Sequence, residues 1–198
     1  MNRTFVATKA GNFETIPEEL IKSILRVIGE DPEREGLIET PHRVIKSYKE
    51  LFSGYLFTDE MITELCKTFE DGACDELVVL KNVEFQSFCE HHMLPFYGKA
   101  HFGYLPDKRV IGLSKMGRIL DIYSKRLQIQ ERLTQQITKA LMDNLKPRGA
   151  ACVIEAHHQC MSCRGVKKQN SIMVTSSMVG EFRTDATLRA EFLSLLKL

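Results

Sequence analysis

Residues 76–106 read ELVVLKNVEFQSFCEHHMLPFYGKAHFGYLP. Two runs rich in β-branched and aromatic residues, 76–88 and 97–106, flank the polar knot Cys89-Glu90-His91-His92. Such runs, bounded by Pro and Gly, are strand signals, so the stretch is read as two strands on either side of CEHH. Cys89 and His92 have the Cys-x-x-His spacing of a metal knuckle. That leaves His91 beside a ligand and free for another task, which suggests a group nearby that must be protonated.

Working outward, the N-terminal third reads as helical. Residues 16–31 form an amphipathic pattern with Leu20, Ile24, Val27 and Ile28 on one side. Residues 39–54 carry helix punctuation, with Thr40 as N-cap, Pro41 in the first turn and Gly54 past the end. A third helix is expected over 58–69, ended by an Asp71-Gly72 turn, and residues 1–14 read as a loose arm. Beyond the two strands, residues 106–113 read as a turn into another short strand. Two helices are expected at 114–126 and 128–147, the second with Ile129, Leu133, Ile137 and Leu141 as a buried stripe. Strands are expected again at 150–160 and 171–180, then a closing helix at 184–198. Strands in pairs, with helices between the pairs, point to an α+β fold with an antiparallel sheet. The expected division is an N-terminal helical arm over 1–75 and a catalytic domain over 76–198.

Composition narrows the function. The chain has 198 residues, 43% hydrophobic and 27% charged, with a formal net charge of +1. It lacks the basic field of a nucleic-acid binder, so no nucleic-acid partner is expected and any anion site must be local. No apolar run is long enough to span a membrane, and the N-terminus has no secretory h-region. Six cysteines cluster near histidines, which suits metal binding in a reducing, cytoplasmic setting better than a disulfide framework.

A second cluster lies about seventy residues downstream, in AACVIEAHHQC and the following MSC (residues 150–163). Strand alternation puts Cys152, Ile154, Ala156, His158 and Cys160 on one inward face, and His157 on the other. Cys89, His92 and Cys160 supply a Cys-His-Cys donor set suited to zinc, and Cys163 permits a fourth ligand. Three ligands leave a position for a reactive water, whereas four make a closed structural site. Each candidate also has an ordinary structural reading. Buried cysteines pack as small hydrophobes, Ser114 can be a helix N-cap, and Lys115, Arg118 and Glu131 can be solvated. His101 reads as structural and His42 as a surface histidine. Two competing classes follow: a zinc-stabilised binding module closed by Cys163, and a thiol redox protein using Cys160-x-x-Cys163, which lacks a thioredoxin-like βαβ context.

Together, CEHHMLPFYGKAHFGYLP, VIGLSKMGRI, QIQERLTQQI, HHQCMSCRG and TPHRVIKSY closely resemble the zinc-dependent GTP cyclohydrolase I family, over roughly residues 16–198. The resemblance implies the tunnelling fold, an antiparallel sheet backed by helices, assembled as a homodecamer of two stacked pentamers. It implies a hydrolase that converts GTP to 7,8-dihydroneopterin triphosphate and formate. It places zinc ligands on Cys89, His92 and Cys160, and catalytic roles on His91, His158 and Ser114. It places guanine recognition on Glu131, with Gln130 beside it, and triphosphate binding on Lys115, Arg118, Arg164, Arg43 and Lys46. Cys163 departs from the family pattern. The chemistry is coherent: carbon 8 of guanine is weakly electrophilic, zinc-bound hydroxide is a strong nucleophile at neutral pH, and a histidine protonating nitrogen 7 activates that carbon.

Overall fold

In the computed structural model, residues 17–66, 68–69 and 74–197 are described; the expected arm at 1–14 and the Asp71-Gly72 turn lie outside them. In chain order the elements are α1 (Glu18–Val27), α2 (Thr40–Leu51), α3 (Asp59–Leu65), β1 (Thr68–Phe69), β2 (Val78–Cys89), β3 (Pro95–Leu105), β4 (Val110–Ile111) and α4 (Leu113–Ser124). They continue with β5 (Leu127–Gln128), α5 (Gln130–Leu145), β6 (Gly149–His158), α6 (Gln159–Ser162), β7 (Met173–Gly180), α7 (Glu181–Thr184) and α8 (Ala186–Leu196).

The main sheet runs β5-β2-β3-β6-β7. All its pairs are antiparallel except β2 with the short edge strand β5. The expected α+β architecture with a helix-backed sheet is thus the one observed, with one parallel pair added at the edge. The period-two pattern of β3 decides what each face buries. Phe96, Ala100, Phe102 and Tyr104 share a core with Cys152 and Ile154 of β6, with Met116, Ile119 and Leu120 of α4, and with Leu133, Ile137 and Leu141 of α5. The other face carries a smaller cluster at one end, where Leu105, Ala151 and Val153 meet Phe182, Leu188, Phe192 and Leu196. Gly103 permits that approach, since a Cβ there would lie 2.7 Å from the Phe192 ring. Farther along the same face His101 is 1% exposed, and its Nε2 lies 3.0 Å from the Glu155 carboxylate, which matches its structural reading.

Several local expectations are corrected. The third helix stops at Leu65; Thr68–Phe69 instead pairs antiparallel with β4. Its N-cap Thr58 accepts from the Met61 amide, whereas Cys66 leaves the helix with ψ 53° and is buried. Gly54 does lie past the end of α2, in a 3-10 turn, Ser53–Leu56, where a Cβ would sit 2.2 Å from the Ile122 backbone oxygen. The N-cap of α2 is Glu39 rather than Thr40, and that of α4 is Gly112 rather than Ser114. β6 ends at His158, so Cys160 sits on the helical turn α6 and its position owes nothing to strand alternation. Finally, α1 buries Ile21 and Leu25, while Leu20, Ile24, Val27 and Ile28 are all more than half exposed. Its apolar stripe is therefore left uncovered by the described residues.

Candidate active site

The hairpin end of the sheet gathers the chemically active side chains. β2 delivers Cys89 at its last position, beside Gln128 of β5. The chain then turns tightly: the amides of His92 and Met93 both bond to the Cys89 carbonyl, and Met93 has φ 54°. This turn swings His92 back, with its Nδ1 3.9 Å from Cys89 Sγ. From the other side, α6 begins where β6 ends and brings in Cys160. The donor atoms of Cys89, His92 and Cys160 all lie within 4.8 Å of one another.

Two thiols and an imidazole so placed are the soft donor set that a zinc-like cation prefers. Burial, and the neighbouring Cys89 sulfur, push the Cys160 thiol up from its ordinary range. A bound cation offsets that cost by stabilising the thiolates. The residues therefore fit a metal. Cys163 is exposed and donates its thiol proton to the Gln159 backbone oxygen at 2.9 Å; it is outside the three-residue group.

The other expected residues fall into two sets. Near the cluster, His91 stands at the rim, its Nδ1 3.7 Å from Cys89 Sγ and its side chain 65% exposed. His158 lies 4.0 Å from Cys160 Sγ through Nδ1 and stacks on Phe96 at 4.6 Å. Desolvation lowers its pKa, opposed by the charge of Glu131. Glu131 is exposed in the first turn of α5, where a carboxylate also suits the helix dipole. Arg164 donates to His92 Nε2 at 3.1 Å. Gln130 is buried, with its carboxamide engaged inside the protein.

The second set lies on α4 and α2. α4 ends beside the cluster, since the Gln128 side chain donates to the Tyr123 carbonyl at 2.8 Å. Its first turn, with Ser114 and Lys115, begins next to Phe69 and Tyr104. Lys115 is roughly 12 Å from Tyr123 along the helix axis at 1.5 Å per residue. Arg118 is exposed, as are Arg43 and Lys46 on α2; Arg43 pairs with Glu39. Among the described residues none of these five is joined to the cluster by a hydrogen bond or ion pair.

Sequence reasoning missed the support behind the metal turn. Arg132 bonds to the Glu90 carboxylate, and its Nε donates to Gln128 at 3.0 Å. The Glu90 amide in turn donates to the Gln128 carbonyl at 3.0 Å. The only signal was adjacency, of Glu90 to CEHH's ligands and of Arg132 to Glu131.

A sequence profile of the GTP cyclohydrolase I family matches residues 17–197. The chain belongs to the GTP cyclohydrolase I family. Among curated members, GTP cyclohydrolase 1 of Wolinella succinogenes is 54% identical over 180 residues, covering 91% of this chain and 95% of its own. The Leptospira biflexa enzyme of that name is 50% identical over 180 residues, covering 91% and 97%. That of Chlorobaculum tepidum is 50% identical over 178 residues, covering 90% and 79%. This is a family of hydrolases, and this member has a Cys-His-Cys group that could hold a metal. No helix among the described residues is long and apolar enough to cross a membrane.

Proposed function

We propose that this protein converts GTP to 7,8-dihydroneopterin triphosphate and formate, with zinc held by Cys89, His92 and Cys160. The observation that carries the reading is a three-donor group with Cys163 outside it, since an open position separates a catalytic from a structural zinc. When bound, zinc supplies a water acidic enough to act as hydroxide toward carbon 8 at neutral pH.

The residues divide the remaining work. Glu131 accepts hydrogen bonds from the guanine ring N–H and exocyclic amine. Half-buried His158 protonates nitrogen 7, and the rim position of His91 suits it, with Ser114, to proton transfer at the sugar after ring opening. Arg164, Lys115, Arg118, Arg43 and Lys46 hold the triphosphate, for which guanidinium forks are well shaped.

The separation of Lys115 from the cluster supports a site completed by neighbouring copies. The exposed stripe of α1 and the open edge of β7 support the same view, and a homodecamer of two stacked pentamers accommodates it. In this reading the helices α1 to α3 belong to an N-terminal arm used in assembly, the sheet and the helices that follow them form the catalytic domain, and the thiols are kept reduced in the cytoplasm. Incubation of the zinc-loaded protein with GTP tests the proposal: formate and a pteridine chromophore are expected together. Their absence from zinc-replete, assembled protein defeats it.

A further inference from the structure

Gln130 opens α5 and is 1% exposed. Its carboxamide nitrogen faces the backbone oxygens of Ile154 at 2.9 Å and Met173 at 3.0 Å, and the Thr175 hydroxyl at 3.1 Å. A carbonyl oxygen only accepts, so the nitrogen end is held to that side. The hydroxyl contact is directed the same way. Thr134 donates to the Gln130 backbone oxygen at 2.7 Å, and Thr134 and Thr175 oxygens are 2.7 Å apart. With the Thr134 proton used, Thr175 must donate to Thr134, and its own oxygen is left to accept from Gln130.

The other end of the carboxamide is then also fixed. Gln130 Oε1 lies 2.8 Å from His158 Nε2, and an amide oxygen cannot donate. His158 must carry its proton on Nε2. In the neutral ring the lone pair is therefore on Nδ1, which points to the cluster side, 4.0 Å from Cys160 Sγ; it is the nitrogen that takes up the proton that His158, as imidazolium, delivers to nitrogen 7. Phe96, fully buried, stacks on the ring within 2° of parallel and holds its plane.

We infer that Gln130 is a positioning residue that locks the tautomer and orientation of His158, presenting Nδ1 to the substrate, and that it does not read guanine itself. The inference rests on the proposed catalytic role of His158. It assigns adjacent residues of one helix turn opposite tasks: Glu131 faces outward to the substrate, and Gln130 inward to the catalyst.

A double-mutant cycle on the zinc-loaded, full-length enzyme tests this. Gln130→Met keeps the length and removes both polar ends. It is expected to lower kcat about 10- to 100-fold, at or below the usual contribution of a general acid, while GTP affinity by calorimetry stays within about twofold. Zinc content is unchanged. In a His158→Ala background the same substitution is expected to have no further effect. Weakened GTP binding with kcat preserved overturns the inference, as does an additive loss in the His158→Ala background. Normal turnover by His158→Ala alone removes the role of His158, and the inference with it. If Gln130→Met fails to assemble, Thr175→Val removes one constraint on the carboxamide. A smaller fall in kcat is expected, again absent without His158, and an unchanged kcat overturns the inference.

Discussion

α4 and α5 lie on the same face of the same sheet, and each buries an apolar side in the same core. Both also carry residues that the family resemblance marks for substrate. They differ in where those residues sit. On α5 they fall in the first turn, at the hairpin end of the sheet, with Glu131 close enough to act electrostatically on His158. On α4, Ser114 and Lys115 fall in the first turn, while it is the last turn that reaches the cluster through Gln128. Two helices with equivalent packing thus present their polar faces at different places. On the proposed reading, one chain builds the centre of the site and neighbouring copies supply part of its rim.

The largest expected effect strikes the centre. Cys160→Ala should lose both zinc, by elemental analysis, and turnover, while Cys163→Ala keeps both. A zinc-free Cys163→Ala protein would make the site a closed four-ligand one. Next comes the rim. Arg118→Ala should stay zinc-replete and lose about 1.5–3 kcal/mol, the usual worth of a hydrogen bond to a charged group, read as kcat/KM for GTP. Co-assembling Cys160→Ala and Arg118→Ala subunits, each nearly inactive alone, should restore activity above either parent. No recovery in verified mixed assemblies would place α4 and the cluster in separate functions or in one protomer's site.

A smaller loss is expected on the α5 side. Glu131→Gln replaces one of the acceptors proposed for the guanine edge and should weaken GTP binding by ~1–3 kcal/mol, with zinc content intact. Equal GTP affinity in calorimetry would return Glu131 to a solvated helix residue. The smallest effect is expected behind the metal turn. Arg132 and Glu90 are partly exposed, and such ion pairs are worth about 0–1 kcal/mol. Arg132→Met should therefore cost at most a few-fold in kcat/KM. A loss as large as that of Cys160→Ala would show that the pair, not the strand pairing of Cys89 with Gln128, holds the turn in place.

Much of this molecule was legible in the chain because local patterns carried it. The alternation of β3, the four-residue spacing along α5 and the strand–helix order are properties of short windows, and burial largely followed them: Leu133, Ile137 and Leu141 are each at most 1% exposed, whereas Ile129, expected in the same stripe, is the N-cap of α5 and only half-buried. The stripe of α1 was equally visible, yet its residues are exposed, since periodicity states that a face is apolar and not what covers it. The third helix failed for a related reason. Residues 66–69 continue a helical pattern, but Thr68 and Phe69 pair with β4, more than forty positions away, and a window cannot see such a partner.

At the site, the sequence by itself determined the donor types and the two clusters, because thiol and imidazole identity is chemical and local. It also marked His91 as surplus to ligation. Tertiary structure alone decided that Cys160 reaches Cys89 and His92 from a helical turn, and that Cys163 turns away to a backbone oxygen. It alone decided what Gln130 does, because its partners Ile154, His158, Met173 and Thr175 come from two strands 24 to 45 positions downstream. The physical reason is common to both: the identity of a side chain is written in one position, whereas the direction of a hydrogen bond is set by the acceptors that folding brings to it.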